Sequence, residues 1–173
     1  EEFCGEPPLA IIPNGIYPSQ YFLENVTKAG IGTVFHSDYQ KAPEHTIAVM
    51  SAVHNKWPKM PLYVFGAPHR PLGLSRRSYW RYPSISKARE LYNRSKVWIV
   101  ASRREGFCLP ILEAMACGCV VISTDHIAAS GLITHGKNGF LVPIGDIPEF
   151  IRHIDFVLRD KDLQERVIEA GLE

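Results

Sequence analysis

Short runs of Val, Ile, Leu and Phe alternate along this chain with segments whose apolar residues recur at helical spacing, and few folds satisfy that pattern. Residues 9–12, 32–35, 62–65, 97–100, 120–123 and 140–142 read as strands. Helical patterns cover 43–56, 86–94, 110–117, 128–134, 147–158 and 161–170. The strand runs are nearly continuous rather than alternating, as strands are when both faces of a sheet are covered. Strands and helices in turn predict an α/β domain built on a parallel sheet. Ligands of such sheets sit beyond the carboxyl ends of the strands, at a topological switch point. That rule directs attention to the loops after Phe35, Phe65, Val100 and Ser123.

The 173 residues suffice for one compact domain with a full core and no covalent staples. A net charge of +1 argues against a polyanion such as nucleic acid as the main partner. Arg76, Arg77 and Arg81 read as solvated charge in a Pro/Gly-rich loop over 67–83, where Trp80 is either a packing residue or a stacking platform for a nucleobase. Cys4, Cys108, Cys117 and Cys119 form no disulfide or metal-binding framework, so reduced packing thiols and a cytoplasmic setting are expected. No apolar run reaches the roughly 20 residues that a membrane span requires. The seven histidines are scattered and read as surface or packing residues. His126 differs, because it follows a predicted strand into a ligand-facing loop.

One stretch carries more chemistry than the rest: Glu105-Gly-Phe-Cys-Leu-Pro-Ile-Leu-Glu113-Ala-Met-Ala-Cys-Gly118. A strand ends, a glycine-containing turn follows, and Pro110 falls in the first turn of a helix, where its missing N–H costs nothing. The free amides of that helix start, with the macrodipole behind them, suit an anion such as a diphosphate. Glu105 lies in the turn and Glu113 about 6 Å along the helix. Carboxylates so near an anion site need other partners, and pairs of sugar hydroxyls serve. On spacing alone, a Glu105 that caps the helix and a Glu113 that faces solvent fit as well. Cys108, just before the helix, has a position that favours a lowered thiol pKa.

This segment resembles the E-x7-E signature of retaining glycosyltransferases of the GT-B fold, the glycosyl transferases group 1, in the form E-G-F-x-L-P-x-L-E-A-M-A-x-G. Ile12-Pro13-Asn14-Gly15-Ile16, residues 120–125 and residues 136–143 resemble further motifs of that family, so the likeness covers most of the chain. The resemblance implies the C-terminal half of a GT-B fold, a Rossmann-like doubly wound sheet that binds a nucleoside diphosphate sugar. It implies catalytic roles for Glu105, toward the sugar hydroxyls, and for Lys41, a cation facing the leaving diphosphate. It also implies donor contacts at Gly106, Phe107, Cys108, Leu109 and Pro110, with ribose on Glu113 and His36 standing near the phosphates. No cofactor or divalent metal is expected. The acceptor would be a saccharide or lipid-linked hydroxyl, as in polysaccharide or glycoconjugate synthesis.

A GT-B enzyme has two such halves, so residues 1–173 are expected to be one nucleotide-sugar-binding domain, a fragment lacking its N-terminal acceptor domain and inactive alone. The full-length protein would be cytoplasmic or peripheral at a membrane. The chain also departs from the pattern. His36 stands for the arginine of G-R-x4-K-G, Ala42 for its second glycine, and Ile127, Ala128 and Gly131 for a Gly-Gly pair and a glutamate. These departures keep open a catalytically silent binding module. An oxidoreductase is disfavoured, since no G-x-G-x-x-G follows the first strand.

Overall fold

The computed structural model describes residues 14–67, 69–71 and 78–173. The strand expected at 9–12, Cys4, Arg76 and Arg77 lie outside the described residues. Among the described residues, six strands form one parallel sheet: β1 (Gly30–Phe35), β2 (Leu62–Gly66), β3 (Tyr79–Arg81), β4 (Ser95–Val100), β5 (Val120–Thr124) and β6 (Phe140–Val142). Their spatial order is β3-β2-β1-β4-β5-β6. The winding therefore reverses between β1 and β4, paired from Gly30↔Ser95 to Thr33↔Ile99, and a crevice opens beyond their carboxyl ends.

Helices α1 (Pro43–Lys56), α2 (Ile85–Arg94), α3 (Leu109–Ala116), α4 (Ile127–Leu132), α5 (Ile147–Arg159) and α6 (Lys161–Leu172) cover both faces. On one face Val49, Met50 and Val53 of α1 meet Phe150, Ile154 and Val157 of α5 over Ile31, Ile99 and Ile122. On the other, Leu91 and Tyr92 of α2 and Ile111 and Met115 of α3 pack on Phe65, Trp98 and Val121. This double coverage is why the strands are apolar on both sides. Ser84, Asp146 and Asp160 cap α2, α5 and α6 by accepting the amides of Lys87, Glu149 and Leu163.

Two expectations need correction. The stretch 67–83 is not wholly loop, because Tyr79–Arg81 pairs along Val64–Gly66 as an edge strand. Its pairing partner is remote in sequence, and Tyr79 and Trp80 settle against Phe35 and Tyr63, with ring centroids 6.5 and 6.2 Å apart. Helix α4 stops at Leu132 rather than 134, where Ile133 turns extended (φ −111°, ψ 121°). The stop after α3 is as expected. Gly118 takes φ +69°, and the amides of Gly118 and Cys119 close on the carbonyls of Met115 and Ala114, at 2.8 and 2.9 Å. That pair of bonds is the left-handed helix ending that glycine makes inexpensive.

Candidate functional site

The sheet order brings two loops together at the switch point, residues 36–42 after β1 and residues 101–108 after β4. Backbone bonds stitch them: the amides of Arg103 and Arg104 both donate to the carbonyl of Gln40, at 2.8 and 3.1 Å. The Arg103 guanidinium donates to the carbonyl of Tyr39 at 2.8 Å, pairs with Glu44 and lies 4.3 Å from the Tyr39 ring centroid. Lys41 ends a 3-10 turn, Tyr39–Lys41, whose start is fixed by the Asp38 carboxylate accepting the Gln40 amide at 2.7 Å.

The outcome is a direct ion pair between two residues singled out from sequence. The Lys41 ammonium donates to Glu105 Oε2, across 64 positions of chain. Ser102 Oγ donates to the other oxygen, Oε1, at 2.7 Å. The Glu105 side chain is 8% exposed and that of Lys41 38%, so the carboxylate is fixed while the ammonium still reaches solvent.

Helix α3 opens beside this pair. Cys108 is its N-cap, in left-handed geometry (φ 68°, ψ 58°), and its side chain makes no capping bond. Pro110 sits in the first turn and offers no N–H, while the Ile111 amide bends back to the Cys108 carbonyl at 3.0 Å. No acceptor among the described residues takes the amides of Gly106, Phe107, Cys108 or Leu109. Those donors and the dipole of an eight-residue helix make an anion-binding geometry. A Cβ at Gly106 would meet no protein atom within 4 Å, so this turn leaves room for a ligand. The thiol expectation is reversed: burial, and then the nearby Glu105 charge, push Cys108 up to about 12. Desolvation of the thiolate outweighs the lowering by the Lys41 charge and the Ile111 amide.

Two cavities meet here. An open cleft of about 820 Å³ is lined by Gln40, Lys41, Arg104, Glu105, Gly106 and His126, among others. A smaller one of about 160 Å³ lies between the ends of β1 and β4, against His36, Lys41, Trp98, Glu105, Cys108 and Pro110. His36 Nδ1 accepts the Asp38 amide at 3.0 Å, which holds the ring at the end of β1.

Glu113 lines neither cavity. Its Oε2 accepts the Tyr92 hydroxyl at 2.6 Å, and the phenol of Tyr21 lies against the same carboxylate. Burial holds Glu113 above the ordinary carboxyl range, against the opposing effect of the two phenols. Trp80 packs on Tyr63, with the Lys87 ammonium 5.4 Å from its ring centroid. Sequence reasoning missed Gln40, Ser102, Arg103 and Arg104. Two adjacent arginines immediately before Glu105 were the available signal. Among the described residues, no group of three or more His, Cys, Asp or Glu is placed to hold a metal ion. None of the described helices is long and apolar enough to cross a membrane.

A family model described as "Glycosyl transferases group 1" matches residues 24–173. The chain is similar to the capsular polysaccharide biosynthesis glycosyltransferase CapM of Staphylococcus aureus. They are 30% identical over 87 residues, 50% of this chain and 23% of that protein. Its fold is similar to the C-terminal domain of the glycosyl transferase group 1 family protein LpcC from Francisella tularensis. The TM-score is 0.76 at 24% identity, covering 91% of this chain and 95% of that one. It also resembles HepE of Anabaena, solved in complex with UDP-glucose, with a TM-score of 0.77 at 19% identity over 92% of this chain and 50% of that one. The chain spans less than half the length of the first curated relatives it matches: 24%, 45% and 23%.

Proposed function

The chain belongs to the glycosyl transferases group 1, and on that premise we propose that the cleft beyond β1 and β4 is the donor site of a nucleotide-sugar-dependent, retaining glycosyltransferase of polysaccharide or glycoconjugate synthesis. The observation that carries this reading is the Lys41–Glu105 pair beside the unpartnered amides of α3. One wall offers a cation and free N–H groups to a diphosphate, and the adjoining carboxylate offers acceptors to sugar hydroxyls. In this reading the glycosidic bond between C1 and the β-phosphate oxygen breaks, and its electron pair leaves with the diphosphate. Lys41 and the α3 amides meet that developing charge, electrostatic stabilisation of the kind that often dominates catalysis. The acceptor hydroxyl, saccharide or lipid-linked, bonds C1 on the face the diphosphate left, and its proton passes to the departing phosphate.

In this reading the ribose extends beyond the two cavities to Glu113, whose carboxylate is held by Tyr92 and Tyr21. Retention rests on the likeness of Glu105–Glu113 to the E-x7-E enzymes. The acceptor side belongs to an N-terminal domain of the full-length protein, so this domain alone binds donor without turning it over. A full-length protein that itself binds without turnover is the second reading, favoured by His36 and Ala42 at positions of the diphosphate loop. Turnover by the full-length protein on nucleotide sugars, read as released diphosphate, separates the two.

The direct test is calorimetry of this chain with UDP, GDP and their hexose conjugates. One nucleoside diphosphate binds, and Lys41→Ala weakens it about tenfold, near 1.4 kcal/mol. A chain that binds none of them sinks the reading, as does a Lys41→Ala variant that binds like the parent.

A further inference from the structure

His126 joins β5 to α4 and lines the large cleft with Lys41 and Glu105. The residue is 5% exposed. Its Nδ1 accepts the Ala129 amide at 3.2 Å and so caps α4. A ring nitrogen that accepts carries no proton, so the neutral imidazole carries its hydrogen on Nε2. Burial, the largest effect on this ring, holds its pKa below the ordinary imidazole value and favours that neutral form. Nε2 is itself buried and has no hydrogen-bond partner. Buried donors without acceptors are rare and costly, and one on a residue that lines a cleft invites a ligand acceptor.

The cap alone does not explain a histidine. Ser, Thr, Asp or Asn cap a helix better and would leave no orphan donor. What the imidazole adds is the second nitrogen. The neighbouring groups also say what that nitrogen meets. Glu105 is a carboxylate and needs donors, whereas Nε2–H needs an acceptor, and a hydroxyl is the group that serves both. A phosphate oxygen would accept from His126 but give Glu105 nothing except repulsion. Cys108 and Pro110, at the anion-binding start of α3, line the smaller cavity, which His126 does not.

We propose that His126 is a sugar-contacting residue of this site, its Nε2–H donating to a ring hydroxyl oxygen of the glycosyl donor held beside Glu105. The proposal rests on the cleft being the donor site. It makes His126 a specificity residue: a sugar lacking that one hydroxyl leaves the N–H buried and unpaired, and is rejected.

His126→Asn tests this, because its amide oxygen can replace Nδ1 as the cap while the Nε2–H is lost. His126→Gln does the reverse, carrying an N–H to the depth of Nε2. Binding of UDP, GDP and their hexose conjugates to this chain is measured by calorimetry. In the Asn variant the bare diphosphate binds as to the parent, the sugar conjugate about tenfold more weakly, and the Gln variant regains part of the loss. Monodeoxy conjugates are titrated into the parent alongside, so the test does not depend on a variant folding. One deoxy position loses about the same tenfold, and it is the one indifferent to His126→Asn. Equal binding of the conjugate by parent and Asn variant overturns the proposal, as does an equal loss of diphosphate and conjugate, or a deoxy series with no sensitive position. A parent that binds no diphosphate at all sinks the donor-site reading itself, a failure distinct from these.

Discussion

His36 and Ala42 are two residues of the loop after β1 that depart from the G-R-x4-K-G pattern. With Nδ1 engaged by the Asp38 amide, His36 offers a ligand only Nε2. Arginine would add a permanent charge and a two-pronged fork. His36→Arg is therefore expected to tighten nucleoside diphosphate binding about fivefold, close to 1 kcal/mol, in the calorimetric assay. Unchanged affinity would place the diphosphate away from the end of β1. Ala42 follows Lys41 in left-handed geometry (φ 47°, ψ 62°), where a Cβ costs about 1–2 kcal/mol. Its methyl is fully buried, worth about 0.8 kcal/mol, and alanine saves about 0.4–1 kcal/mol of unfolded-chain entropy relative to glycine. The terms nearly cancel, which explains how alanine stands at a position whose backbone favours glycine. The glycine of the G-R-x4-K-G pattern hinted at such a backbone, and the backbone angle shows it.

At the scale of elements, the signals that were local in sequence were legible. Pro43, Pro110 and Gly118 mark helix ends where the structure has them, and α1 spans 43–56 as its periodicity requires. What escaped was β3, a three-residue edge strand that exists because β2 presents unpaired backbone to it. Lys28 escaped for the same reason. From the irregular segment before β1, its ammonium donates to the carbonyls of Asn93, Ser95 and Cys117, at 2.9, 3.4 and 2.6 Å. It thereby clasps the carboxyl ends of α2 and α3, and burial lowers its pKa. Lys28→Met removes a charged donor from three acceptors and should destabilise the domain by about 2–3 kcal/mol in urea unfolding. Faster amide exchange at the end of α3 should accompany it. A variant as stable as the parent would show that water replaces the ammonium at no cost.

The whole domain integrates its buried titratable groups into one pH response. His126 and His153 are both held below the ordinary imidazole value, burial being the largest cause in each. Below about pH 6.5 the unfolded chain takes up protons that the native state refuses. Stability therefore falls as pH drops through the ordinary imidazole range, and stops falling below the folded-state values. Glu113, raised by burial, acts with the opposite sign from the ordinary carboxyl value upward. Urea midpoints between pH 7.5 and 5.5 should decline in the parent and decline less in a His126→Asn, His153→Gln double variant. Parallel declines would locate the proton uptake elsewhere.

Apolar periodicity and helix punctuation, which are local properties of the chain, determined by themselves an α/β domain with a helix start at Pro110 and a carboxylate before and after it. Only the tertiary structure decided which distant groups share a site. Strand order carries Lys41 to Glu105, turns Glu113 inward to Tyr92, and seats His126 with a buried, unpartnered donor in the same cleft. The Lys41–Glu105 pair depends on the winding of β1 and β4 about the switch point, a relation across 64 positions, and the Glu113–Tyr92 bond on the packing of α2 against α3, neither of which spacing along one segment contains.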